Sequence, residues 1–237
     1  MKQDVLIISD TQLPFDHEDT LPFLKAVAEV YQPTKVVQIG DLIDHHALSD
    51  YASDPDGYSA GHELDRAIES LQEYYELFPE VTVILGNHDD RIYRKAFNSG
   101  IPKKYLKELR EVLEFPEGWK LKKEVTIDNV VYVHGDRFGN GTGATAFKKA
   151  IDFNCQSTVF GHFHSKAAIQ WYSNKKSLFF AMNVGCLQDA KSYAAAYGEK
   201  YSTRSILGCG LVLEGTPLFI PMLLNEKGRW TKRIKTW

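Results

Sequence analysis

Cysteine is scarce in this chain: there are three in 237 residues, and none of Cys155, Cys186 and Cys209 forms a CxxC pair. An odd, widely spaced set of thiols argues against a disulfide framework or a zinc knuckle and fits a reducing compartment. An excess of one charge is lacking too, since 28 Lys and Arg face 31 Asp and Glu, for a net charge of −3. That balance excludes broad, backbone-driven affinity for duplex DNA, which needs a basic face. No apolar run approaches the roughly 20 residues of a membrane helix. The opening MKQDVLIISD is also too short in apolar residues for a signal h-region. Repeats, low-complexity tracts and linkers are missing as well. With 43% apolar and 25% charged residues the composition is that of an ordinary soluble globule. We expect a single domain over 1–237 with no membrane segment, in the cytoplasm, or in the host cytoplasm for a virus-encoded chain.

What is present is an alternation of β-branched runs and amphipathic helices, the pattern of stacked sheet and helix layers. Residues 4–9 read as a buried strand. Thr20 is placed to cap a helix from Leu21 with Pro22 in its first turn, Leu24, Val27, Ala28 and Tyr31 forming its stripe and Pro33 ending it. Residues 35–39 give the next strand. Leu64, Ile68, Leu71, Tyr75 and Phe78 recur at helical steps before Pro79 and a strand at 81–85. Between Asp44 and Gly61 lies an insertion whose Asp54-Pro55-Asp56-Gly57 spells a turn. Residues 91–113 read as one broken or two short helices around Gly100 and Pro102, and 143–153 as a further helix. Lys103, Lys104, Lys107 and Arg110 fall at helical spacings, as a solvated helix face would. Short strands at 167–172, 177–182, 206–213 and 217–224 close the chain, with a polar stretch around AKSYAAAYGEK and a basic tail of Lys232, Arg233 and Lys235.

Six side chains able to hold metal recur where hydrophobic runs break into loops: Asp10 after VLIIS, Asp41 after KVVQIG, Asn87 after VTVILG, His134 after VVYV, and His162 and His164 after STVFG. Five strand ends would thus converge on one rim. A mixed carboxylate, amide and imidazole set suits Mn²⁺, Zn²⁺ or Fe²⁺, unlike an all-oxygen Ca²⁺ cage or an all-thiolate zinc site.

In order, these motifs read Asp10-Thr11-Gln12, Gly40-Asp41-Leu42-Ile43-Asp44, Gly86-Asn87-His88-Asp89, His134-Gly135 and Gly161-His162-Phe163-His164. The set resembles the calcineurin-like metallophosphoesterase superfamily. The resemblance implies an α/β fold: a two-sheet β-sandwich flanked by helices in four α/β/β/α layers, with a dinuclear centre at the strand ends. It puts Asp10 and His164 on a first ion, Asn87, His134 and His162 on a second, and Asp41 between them. Two divalent ions about 3.5–4 Å apart repel strongly, and a shared carboxylate lowers that repulsion. A hydroxide shared by the ions would be the nucleophile. His88 would protonate the leaving oxygen and Asp44 would orient it; a turn-capping role for Asp44 is the other reading. Arg91 could clamp a phosphate oxygen or pair with Asp89 or Asp90, and His45 stands where it could touch a phosphate. His17, His46 and His62 read as surface or loop histidines.

The commonest first motif of that superfamily has histidine two residues after the first aspartate, where this chain has Gln12. An amide oxygen is neutral and harder than imidazole, so if Gln12 coordinates, the first site should be weaker and favour Mn²⁺ or Mg²⁺ over Zn²⁺; Gln12 could instead bond a metal-held water. Asn183-Val184-Gly185-Cys186 resembles an Asn-x-Gly-Ser stretch that often follows the last histidines. It reads as a turn near the site, because nothing local gives Cys186 a base or a positive partner. Protein phosphatases of the superfamily usually carry an arginine just after GDxxD, where this chain has His45-His46. Tyr51, Tyr58, Tyr93 and Phe97 offer rings for stacking a base or for packing. The expected function is metal-dependent hydrolysis of a phosphodiester, a nucleotide or nucleic acid, with two divalent ions, foremost Mn²⁺. A phosphomonoesterase and a weakly catalytic metal-bound scaffold are the alternatives.

Overall fold

The computed structural model describes residues 2–50, 54, 56–139, 143, 145–192 and 204–234. Its first strand, β1 (Val5–Ile8), shows how the layers arise. Successive side chains of a strand point to opposite faces. Leu6 and Ile8 accordingly enter a core shared with helices, while Val5 and Ile7 enter a core between two sheets.

The remaining elements are α1 (Thr20–Tyr31), β2 (Lys35–Gln38), α2 (Ala60–Leu77), β3 (Val81–Ile84), α3 (Arg91–Asn98), α4 (Leu109–Val112), β4 (Trp119–Lys122), β5 (Val125–Ile127), β6 (Val130–Tyr132), α5 (Ala146–Asn154), β7 (Ser157–Phe160), β8 (Ala167–Ser173), β9 (Leu178–Val184), β10 (Gly208–Leu213) and β11 (Thr216–Pro221). One sheet runs β11-β10-β1-β2-β3-β4 and the other β5-β6-β7-β9-β8. β1 to β4 are mutually parallel, as are β6, β7 and β9; β5, β8, β10 and β11 join antiparallel. Phe23, Leu24 and Val27 of α1 and Ala67, Leu71 and Tyr74 of α2 cover the outer face of the first sheet. Ala146, Phe147 and Ala150 of α5 pack with Phe160 and Ala181 on the outer face of the second. This is the expected α/β/β/α order. Among the described residues no helix is long and apolar enough to cross a membrane.

The structure departs from the sequence reading in several places. α1 starts at Thr20 itself, and the Asp19 side chain before it makes no cap bond. It accepts instead from Arg229 Nε at 2.9 Å and the Trp230 amide at 2.8 Å, which ties the C-terminal segment down. α2 begins ahead of its apolar stripe, where the Ser59 side chain accepts from the His62 amide. The four basic residues from Lys103 to Arg110 share no helix. Gly100 takes φ +72° and Pro102 is extended, leaving one 3₁₀ turn at Lys103–Tyr105 before α4. β4 and β5 went unread because each is a short sheet-edge strand, β4 interrupted by lysines, the composition that blunts an edge. The insertion holds a 3₁₀ turn at His46–Leu48, tied to α2 because the His46 and Ala47 amides donate to Glu63 at 2.6 and 2.8 Å. Tyr51, the stretch 193–200 and Lys235 lie outside the described residues.

Candidate metal centre

β1, β2, β3, β6 and β7 are parallel within their sheets, so their carboxyl ends open on one rim, the place where α/β sheets collect ligands. The turns after them are sharp. Asp10, Gln12, Asp41, His45 and His162 all have positive φ, between 48° and 67°. Two glycines make room for this. A Cβ on Gly86 would lie 2.2 Å from Asp41 Oδ1, and one on Gly161 would lie 2.4 Å from Asp10 Oδ2, so neither loop could approach with a larger residue.

Two neighbouring groups of side chains result. In one, Asp10 Oδ1 lies 3.1 Å from His164 Nε2, and Gln12 Nε2 lies 3.4 Å from the same nitrogen. In the other, His134 Nε2 lies 3.2 Å from Asp41 Oδ2, 2.9 Å from Asn87 Oδ1 and 3.2 Å from His162 Nδ1. The His162 amide donates to Asp10 Oδ2 at 3.0 Å and so joins the groups. Asp10, Asp41 and His134 are almost wholly inaccessible to solvent. The His134 Nδ1–H donates to the Ile39 carbonyl at 3.0 Å, which aims Nε2 at Asp41.

Beside them, His88 Nδ1 lies 2.9 Å from Asp44 Oδ1. Asp44 does not cap its own turn; its second oxygen accepts from Gln188 Nε2 at 3.2 Å. Arg91 reaches neither Asp89 nor Asp90. Its Nη1 donates to Asp44 Oδ1 at 3.0 Å and to the carbonyls of Asp44 and His45 at 2.9 and 3.2 Å, while Nη2 lies 3.0 Å from His88 Nε2. His45 is buried with Nδ1 donating to the His88 carbonyl at 3.1 Å. His17 is buried too, Nε2 against the Gly228 carbonyl at 2.9 Å, whereas the sequence placed it on a surface or loop.

A calcineurin-like phosphoesterase family model matches residues 4–201, most of the chain. The chain belongs to the calcineurin-like phosphoesterase family. Two curated relatives are each called Gene 54 protein. That of Mycobacterium phage L5 is 25% identical over 224 residues, covering 81% of this chain and 82% of its own; that of Mycobacterium phage D29 is 26% identical, covering 100% and 99%. Among solved structures, Vacuolar Protein Sorting 29 of Cryptosporidium parvum superposes with a TM-score of 0.51 at 13% identity over 99% of this chain and 97% of that one. Chaetomium thermophilum Vps29 gives 0.51 at 10% identity over 98% and 95%. These likenesses show the fold.

The phosphoesterase rim fits a divalent cation. Asp41, His134 and His162 each present a donor atom, all within 4.8 Å of one another. Gln12 Oε1 is buried with no hydrogen-bond partner, an oxygen left over for a cation or a water on it. The electrostatics agree. Burial pushes the Asp41 carboxyl up, yet the His134 and His88 imidazoles beside it hold it below the usual carboxylate range. Burial lowers His134, but Asp41 and Asp10 outweigh it and raise this imidazole to about 10. Buried carboxylates that draw protons onto their neighbours are a cradle for positive charge.

Two contributors escaped the sequence reading. Asp89 is buried and accepts from the Ile43 amide at 3.1 Å and the Gly86 amide at 2.8 Å, fastening the Asp41 and Asn87 loops together; its place in the Gly-Asn-His-Asp motif was the only signal. Gln188 carried none, since it approaches Asp44 from 144 residues away. Cys186 follows β9 in the expected turn, Gly185 taking φ +69°. The fold nevertheless brings it a neighbour absent from the local sequence, the His164 imidazole, which the thiol group helps to raise.

Proposed function

We propose that this phosphoesterase hydrolyses phosphodiesters of the nucleotide or nucleic-acid class, with two divalent ions, foremost Mn²⁺, held by Asp10, Gln12 and His164 on one side and by Asn87, His134 and His162 on the other, Asp41 between them. Bound ions of this kind polarise phosphoryl oxygens and make water nucleophilic at neutral pH. The observation that carries the reading is the His88 imidazole, fastened to Asp44 and 3.8 Å from Asp41 through Nε2. A chain that only bound metal would need the ligands but not this imidazole. With Nδ1–H donated to Asp44, Nε2 is the atom that can pass a proton to a leaving oxygen. It must first turn from Arg91 Nη2, which occupies that lone pair in the resting arrangement, and take up a proton from solvent, which the Asp41 and Asp44 carboxylates favour by raising this imidazole against the effect of burial.

Arg91 favours a diester over a monoester. Its guanidinium is committed to Asp44, His45 and His88, so it positions the acid and is not a free clamp for a doubly charged phosphate. His45, turned onto the His88 carbonyl, is a neighbour of the leaving group at most. Burial lowers its pKa, so it brings no charge at neutral pH. The two phage relatives support a place in the host cytoplasm. The test is turnover of bis-p-nitrophenyl phosphate and of the monoester in Mn²⁺. We expect the diester to be faster; a faster monoester reverses the assignment, and no turnover of either removes it.

A further inference from the structure

A cavity of about 300 Å³ opens directly beside the rim, with Asn87 and His134 in its wall. None of His88, Asp44 and Arg91 lines it. Its lining is thus separate from the candidate acid and its brace. A leaving oxygen facing His88 would place here the substituent that stays on phosphorus. A monoester has no such substituent, and a diester has one.

The lining describes its chemistry. Phe153 stands in the wall, 64% exposed, and is held on edge by buried Phe138, centroids 6.3 Å apart. An aromatic ring kept in water beside a reactive centre is a stacking platform. Around it Lys123, Arg137, Glu124 and Asp136 are exposed and line the same cavity. Among the described residues none of these four makes a salt bridge; Arg94, by contrast, is pinned, donating to the Asn87 carbonyl at 2.7 Å. Free donors and free acceptors in alternation suit a heterocycle with N–H and C=O edges, such as a nucleobase, because carboxylates accept from exocyclic amines and cations donate to ring and carbonyl acceptors. They do not suit a run of phosphates, which the carboxylates would repel. The volume is at the low end for ligand pockets, about 300–1,000 Å³, enough for one nucleoside.

We infer that this cavity is a nucleoside subsite, holding the base and sugar retained on the scissile phosphate, with Phe153 stacking the base and Lys123, Arg137, Glu124 and Asp136 reading its edges. The inference rests on the phosphodiesterase reading for the direction of the chain. It is testable apart from it. Equilibrium dialysis in Mn²⁺ compares thymidine 5′-monophosphate with inorganic phosphate, in the wild type, Phe153→Ala, the double variant Lys123→Ala with Arg137→Ala, and Tyr105→Ala as an exposed aromatic outside the cavity, 73% accessible. The wild type should prefer the nucleotide about tenfold or more. Phe153→Ala and the double variant should each reduce that ratio about tenfold, the size of one lost stacking contact, and Tyr105→Ala should keep it. A wild type that does not discriminate, or cavity variants that keep the full ratio, would overturn the subsite. Wild-type turnover of bis-p-nitrophenyl phosphate is read in parallel: its absence removes the hydrolytic reading, while the affinity ratio still decides the cavity.

Discussion

Replacing Asp89 by asparagine changes one atom and should unfasten the rim. The carboxylate accepts two backbone amides, Ile43 at 3.1 Å on one oxygen and Gly86 at 2.8 Å on the other, with no solvent access. Asparagine keeps one acceptor and turns an NH₂ toward the second amide. Above the value of about 7 to which burial and the Asp41 charge raise this carboxyl, losing a charge-assisted bond costs about 1.5–3 kcal/mol, and a buried N–H left unpaired about 1–3 kcal/mol. Since the two overlap, we expect a loss of about 2–4 kcal/mol, a large share of the 5–15 kcal/mol typical of a domain. At a urea slope of about 3 kcal/mol per molar, the midpoint should fall by about 1 M. Because the same amides frame the Asp41 and Asn87 turns, Mn²⁺ affinity by calorimetry should fall with it. The control is Asp50→Asn, whose carboxylate is 76% exposed and pairs with Lys95 on the surface; it should leave both measurements in place. An Asp89→Asn protein with wild-type midpoint and metal affinity would refute the claim that this side chain holds the two loops together.

His88→Ala should lower kcat by about 10²–10⁴ with bound metal unchanged in elemental analysis; full activity would return the scaffold reading. Calorimetric titration of Mn²⁺ should resolve two unequal sites, the weaker around Asp10, Gln12 and His164, and two tight, equal sites would contradict the role given to Gln12. For pH, the Arg229 hydrogen bond holds Asp19 down to about 2 from an ordinary 3.8. A depressed carboxyl stabilises the fold above its unfolded value and loses that contribution as pH falls through the folded one. The stability gap between wild type and Asp19→Asn should therefore be full above pH 4 and close toward pH 2 in urea melts; a pH-independent gap would sink the assignment. Asp16 runs the other way, since burial raises it to about 6. Its contribution is present below 3.8 and lost as pH rises through 6, so Asp16→Asn should flatten stability between those values, and an unchanged slope would count against it.

The rim itself was legible in the chain because each donor follows a hydrophobic run, and parallel strands deliver their ends to one edge whatever the details of packing. The unbroken apolar run VLII marked β1 as a buried strand, and helical spacing found α2. Short-range chemistry of this kind is written in consecutive residues. Edge strands β4 and β5 were not, since lysines that protect an edge from pairing also erase the pattern of a strand. Nor were the partners that arrive from far along the chain. Whether Arg91 clamps substrate or braces Asp44, whether Cys186 meets an imidazole, and that Gln188 reaches the second oxygen of Asp44 depend on how two sheets stack. Sequence order therefore chose the candidate ligands and the strands that carry them, while only the packed sandwich determined which side chains keep them in place and which side of the rim is left open as a cavity, because those contacts join residues that no local periodicity relates.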